Sequence, residues 1–150
     1  MPSLSYDNSE NQRLHTALIS CYHAHKKHSF AEFQKLNLST GQPKVLSILF
    51  HNEGYLQKDL AERCHVEPAT MTSLLGKLEK DGLIYKKAVY VSGSKRANAI
   101  YLTEKGRDLA IKINLIVDEV ENRSFKNFTE TEKQLLISFL NRIRYNLQNY

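Results

Sequence analysis

The chain has no tryptophan, only two cysteines and no run of eighteen apolar residues, and each shortage closes off a class of protein. Cys21 and Cys64 are too few for a disulfide framework and show no metal-finger spacing. The missing apolar run removes the pattern of a membrane-spanning helix. The first ten residues lack the basic start and apolar stretch of a secretory signal, so the expected location is cytoplasmic, with no membrane partner. No glycine-rich phosphate loop follows a strand, no Gly-x-Ser-x-Gly elbow occurs, and no carboxylates are paired for acid–base work. The pattern therefore proposes neither an enzyme nor a cofactor nor a resident metal.

One further absence is local. Residues 82–103 contain no acid, although Lys86, Lys87, Lys95 and Arg96 all lie there. Between residues 67 and 96 six basic residues face three acidic ones, which supplies most of the chain's formal charge of +5. Such a basic excess fits a polyanionic partner. A length of 150 residues with 41% hydrophobic content suits one domain carrying additional dimerisation helices.

Three signals follow in order. Over residues 55–65, Leu56, Leu60, Ala61 and Cys64 recur at helical spacing, which predicts a short amphipathic helix. A second helix is expected to open at Glu67-Pro68, where proline's missing N–H costs least and an acid meets the positive end of the helix dipole. Its apolar side is Met71, Leu74, Leu75 and Leu78. The opposite side is Ala69, Ser73, Gly76 and Lys80, edged by Thr70, Lys77 and Thr72. A merely solvated face would favour long helix-forming side chains. This one is small or hydroxylated, and Gly76 in mid-helix should cost about 1 kcal/mol against Ala. A face built for close approach suits the DNA major groove. Gly82 then supplies a left-handed cap. Residues 85–91 and 97–102 read as strands around a Ser92-Gly93-Ser94-Lys95-Arg96 turn with a charged tip. Lysine on an edge strand also discourages strand pairing, the bland alternative for this ribbon.

These residues carry a resemblance. Ser39-Thr40-Gly41-Gln42-Pro43-Lys44-Val45-Leu46, Gln57-Lys58-Asp59-Leu60-Ala61-Glu62-Arg63, Pro68-Ala69-Thr70-Met71-Thr72, Leu78-Glu79-Lys80-Asp81-Gly82-Leu83-Ile84 and Tyr101-Leu102-Thr103-Glu104-Lys105-Gly106 resemble, in order and spacing, the successive motifs of the MarR family of bacterial transcription regulators. The likeness spans roughly residues 10–148. It implies a mainly α fold, a winged helix-turn-helix with a two-stranded β wing, acting as a homodimer on double-stranded DNA. The expected DNA-binding residues are Gln57, Lys58, Pro68, Ala69, Thr70, Thr72, Ser73, Gly76, Lys77, Lys80, Lys86, Lys87, Ser94, Lys95 and Arg96. One departure stands at the wing, where the family's Asp-x-Arg triplet is here Ser94-Lys95-Arg96. The arginine is kept, and a serine, a weaker acceptor than a carboxylate, replaces the acid.

The expected division is a DNA-binding lobe over residues 36–103, with dimerisation helices over residues 9–36 and 104–150. The first of these helices aligns Leu14, Ala17, Leu18, Cys21, His25 and His28. The next carries Leu109, Ile113, Ile116, Val117 and Val120. The last follows Thr129-Glu130-Thr131-Glu132 and carries Leu136, Phe139, Leu140, Ile143 and Leu147. Stripes this rich call for a partner's surface.

Cys21, His25 and His28 share one face at i, i+4 and i+7. They could ligate zinc or copper or form a redox-sensing thiol; packing within a core or an interface is the competing reading. The resemblance keeps sensing open, since some family members detect peroxide through a cysteine in this helix or bind zinc near the dimer junction. Tyr22 lies beside that face. With Phe30 and Phe33 it could line a pocket, although ordinary packing explains each aromatic singly; it is the resemblance, not the spacing, that implies a site for a small apolar or phenolic effector. Cys64 reads as inert core, and His51, Glu53 and His65 show no ligand-like repeat. The function expected is an effector-responsive repressor on an inverted-repeat operator. The alternatives are a winged-helix protein-interaction module and a thiol- or metal-responsive sensor using Cys21.

Overall fold

The computed structural model describes residues 13–150. In order these form α1 (Leu14–Gln34), α2 (Gln42–His51), β1 (Tyr55–Leu56), α3 (Gln57–Cys64), α4 (Pro68–Lys80), β2 (Ile84–Ser92), β3 (Lys95–Leu102), α5 (Glu104–Ser124) and α6 (Glu130–Gln148). The expected mainly helical winged architecture is present. The expected start of the first helix, residues 9–12, lies outside the described residues.

Two elements depart from the sequence expectation. The first is α2, a helix that the sequence expectation does not contain. Gly41 takes a left-handed conformation with φ 91°, Pro43 sits in the first turn, and Val45, Leu46 and Leu49 recur at helical spacing with no exposed surface. The buried Gln42 side chain folds back, its Oε1 accepting the Ser39 N–H at 2.9 Å. The second departure concerns Tyr55 and Leu56, expected as the first turn of a helix. They form a short strand instead, pairing with Ile100 and Ala99 of β3. Gly54 explains the difference: at φ 84° it donates its N–H to the Ile100 carbonyl at 2.8 Å, laying the chain along β3 before α3 can begin at Gln57. The sheet is three-stranded, antiparallel and ordered β1-β3-β2.

The core lies between α2, α3, α4, the base of the sheet and the first half of α5. Leu46, Leu49, Leu60, Met71, Leu75, Leu78, Ile100 and Ile113 are all fully buried there. Each fully buried aliphatic side chain contributes about 1.5–3 kcal/mol, which makes this cluster the anchor of the lobe. Gly106 lets α5 join it, because a Cβ at that position would overlap the Leu83 carbonyl. Thr103 fastens the same junction: its hydroxyl donates to the Gly82 carbonyl at 2.6 Å and accepts the Gly106 N–H at 3.0 Å.

The outer helices differ. Thr129 and Glu132 form a reciprocal capping box that starts α6, but neither α1 nor α6 buries a single described residue. No helix among the described residues is long and apolar enough to cross a membrane.

Candidate nucleic-acid interface

The helix-turn-helix is set by two tight helix ends. After α3, His65 turns left-handed at φ 54°, and the Val66 N–H reaches back to the Ala61 carbonyl at 3.1 Å. Extended Glu67 then delivers Pro68 to the start of α4, where no N–H is needed. After α4, Gly82 at φ 73° lets the Leu83 N–H bond the Leu78 carbonyl at 2.9 Å and the Gly82 N–H bond that of Glu79 at 3.0 Å. This is the paired closure expected at that glycine. Both α4 ends are thereby fixed relative to the core.

On this frame Met71, Leu75 and Leu78 point fully inward, while Ala69, Thr70, Thr72, Ser73, Gly76, Lys77 and Lys80 are exposed, as is Pro68. Beyond its two chain neighbours and the helix's own backbone, no described atom lies within 4 Å of where a Cβ on Gly76 would sit. Packing within the chain therefore gives no reason for that glycine. Lys77 and Lys80 place charge on the last turn, at the negative end of the helix dipole. On α3, Lys58 is exposed and Gln57 half-buried. Gln57 Nε2 donates to the Thr72 hydroxyl at 3.0 Å, joining two of the expected DNA-binding residues across the motif.

The wing corrects part of the expectation. Its strands run on to Ser92 and begin again at Lys95, so only Gly93 and Ser94 make the turn, and Lys95 and Arg96 are strand residues. Gly93, at φ 58°, fits the glycine-first pattern of a two-residue hairpin loop. Val91 is the extra residue of a bulge between the Tyr90–Arg96 and Ser92–Lys95 pairs. Strand alternation divides the basic residues between two faces. Arg96 shares a face with Tyr90 and Lys86, whereas Lys87 and Lys95 lie on the other. Lys86 is also turned toward the lobe: it pairs across the strands with buried Ile100 and sits 4.0 Å from the Glu79 carboxylate. It is no free wing charge, because its partner strand runs over the core at that point. Ser94, Lys95, Arg96 and Lys87 remain exposed.

Other polar groups at this end serve the fold. Glu53 accepts the Leu102 N–H at 2.8 Å and the Arg107 guanidinium at 2.7 Å, tying the approach to β1 to β3 and α5. Tyr55 receives hydrogen bonds from Arg63 and Asn52; the Arg63 bond foremost holds its phenol below the usual tyrosine range. Sequence periodicity could not reveal the Glu53 ties, since they join residues 49 and 54 positions apart. Cys64 is buried as expected. Burial pushes its thiol up, with the Lys44 ammonium acting weakly the other way, so it is a poor nucleophile.

The face of α1 carrying Cys21, Tyr22, His25 and His28 stands apart from this surface. Cys21, Tyr22 and His25 are exposed, so they join no core among the described residues, and packing at an interface between copies stays open; α1 itself packs on α5. His28 is half-buried, and its Nε2 is buried without a hydrogen-bond partner among the described residues. No group of three His, Cys, Asp or Glu side chains positioned to hold a metal occurs among the described residues.

Comparison with known proteins agrees with this geometry. Residues 38–88 match the model of the MarR family. The chain is 29% identical to the uncharacterized HTH-type transcriptional regulator YybA of Bacillus subtilis (strain 168), over 78% of this chain and 77% of that protein. It is 32% identical to the transcriptional regulator PA3341, whose crystal structure superposes with a TM-score of 0.83 over 92% of this chain and 100% of that one. A MarR family regulator from Listeria monocytogenes, solved with a 26mer DNA, is 28% identical, with a TM-score of 0.81 over 91% of this chain and 89% of that one.

Proposed function

Because this chain belongs to the MarR family of transcriptional regulators, we propose that it acts as a homodimer that binds an inverted-repeat operator in double-stranded DNA and represses until an effector releases it. The observation that carries the reading is the outward face of α4. It is small, hydroxylated and cationic, stands over three fully buried anchors, and holds a glycine that no internal contact requires. Such a face admits base edges and phosphates, and the exposed Arg96 at the wing suits phosphates or a narrow minor groove. A protein-docking module would favour large aromatic anchors at this position.

Dimerisation is supported by the terminal helices. Leu14, Leu18, Leu140 and Leu147 are exposed and, with Ile143, line an apolar groove of about 270 Å³. Contiguous apolar surface of this kind marks an interaction site. A two-fold dimer presents identical recognition helices to two half-sites about one helical turn apart. For the effector, a small apolar or phenolic molecule held between the dimer helices and the winged lobe is the reading we favour. His28 Nε2 on α1 and Asn114 Nδ2 on α5 are buried without a hydrogen-bond partner among the described residues, and these two helices pack together. Sensing through Cys21, with His25 and His28, is the alternative.

Selection of duplexes by the purified protein, followed by footprinting, tests the proposal. Protection of two symmetric half-sites with centres about 10 bp apart, or a whole number of turns, is expected. One asymmetric footprint from a single recognition helix contradicts it. Titrations of wild type and Cys21→Ser with peroxide, zinc and a phenolic acid separate the control mechanisms. A wild-type response to peroxide or zinc that Cys21→Ser abolishes overturns the apolar-effector reading.

A further inference from the structure

Thr72 is exposed on α4, yet its hydroxyl is engaged inside the protein. It donates its hydrogen to the Pro68 carbonyl at 3.0 Å and accepts from Gln57 Nε2 at 3.0 Å. A threonine hydroxyl has one hydrogen and two lone pairs. Its only donor is therefore taken and one acceptor position is filled, which leaves the γ-methyl as the main unengaged part of the side chain. The two partners lie on different elements: Pro68 one turn back on the same helix, Gln57 at the start of α3. Branching at Cβ further narrows the rotamer. Thr70 and Ser73 differ, for their hydroxyls have no side-chain hydrogen bond among the described residues. Ala69, one turn before Thr72 and exposed, offers a second methyl on the same side.

Resting on the DNA-binding reading above, we propose that Thr72 reads DNA through its methyl group and favours thymine, whose C5-methyl is the apolar feature of the major groove. Gln57 is the positioning residue that holds the hydroxyl turned away from the base. The helix then divides its work: Thr70 and Ser73 offer hydroxyls to polar base edges, and Thr72 with Ala69 offers an apolar patch to a thymine.

The test is selection from a random-sequence duplex library using full-length wild type, Thr72→Val, Thr72→Ser and Gln57→Ala. Wild type and Thr72→Val should enrich the same sites, with thymine at one symmetric pair of positions. Thr72→Ser should lose that preference alone. Replacing that thymine by uracil, which lacks the methyl, should weaken wild type about fourfold per half-site, the worth of one buried methyl group, and leave Thr72→Ser unaffected. Gln57→Ala should blunt the thymine preference in the wild-type background but not in Thr72→Val, where no hydroxyl needs holding. The inference is overturned if Thr72→Ser keeps the preference and Thr72→Val loses it, or if uracil at every thymine leaves wild type unchanged. If wild type enriches no duplex, the DNA-binding reading itself fails and this inference falls with it.

Discussion

Helices α4 and α6 carry apolar residues at the same helical spacing but dispose of them in opposite ways. Met71, Leu75 and Leu78 of α4 have no exposed surface, whereas Leu136, Phe139, Leu140 and Leu147 of α6 remain 40–75% exposed. Periodicity thus identifies an amphipathic helix without locating the surface it meets. For α4 that surface is the lobe's own core. For these α6 residues the described chain supplies none, and α1, though it packs on α5, still leaves Leu14 and Leu18 exposed; a second copy is the partner proposed above.

Substitutions on the two sides should separate these roles. Leu75→Ala should cost the lobe about 2–5 kcal/mol, the usual range for a buried leucine replaced by alanine; chemical denaturation monitored by circular dichroism would measure it. Leu140→Asp should act on assembly instead. An unpaired ionised carboxylate in an apolar contact costs more than the roughly 1–3 kcal/mol of a neutral polar group, so the dimer dissociation constant should rise at least about tenfold by sedimentation while the lobe stays folded. A variant that remains dimeric would remove α6 from the interface. At the wing, Arg96→Ala should weaken DNA binding and reduce the magnitude of the salt slope by about 1 per lost phosphate contact; equal affinities across a salt titration would remove the wing from recognition. The smallest effect belongs to Cys64. Buried, with its thiol pKa raised, it should resist alkylation at neutral pH until the protein is denatured. Rapid native labelling at Cys64 would show that the lobe opens more readily than its core indicates.

Much of the candidate DNA-binding surface was legible in the sequence because it depends on local order. Pro68 and Gly82 bracket α4 at both ends, and the exposed face follows from helical spacing alone. Long-range structure was harder to read. Tyr55 and Leu56 look helical until Gly54 bonds Ile100, forty-six positions away, and draws them into the sheet. Lys86 looks like a wing charge until strand register sets it opposite buried Ile100 and near Glu79. The Gln57–Thr72 bond needed the mutual packing of α3 and α4, which neither segment encodes alone. The exposure of Cys21 and His25 was hidden for the same reason, since a stripe on α1 does not reveal which positions meet α5.

The central claim is that the bare face of α4 is kept for DNA rather than for folding, and Gly76→Ala tests it most directly. Beyond its chain neighbours and the helix's own backbone, nothing described lies within 4 Å of the added methyl, and alanine favours a helix interior over glycine by about 1 kcal/mol. Stability and affinity for the selected duplex, measured on the same preparation, should move in opposite directions: denaturation shifts upward and DNA binding weakens. Unchanged or improved DNA affinity in the stabilised variant would contradict the claim.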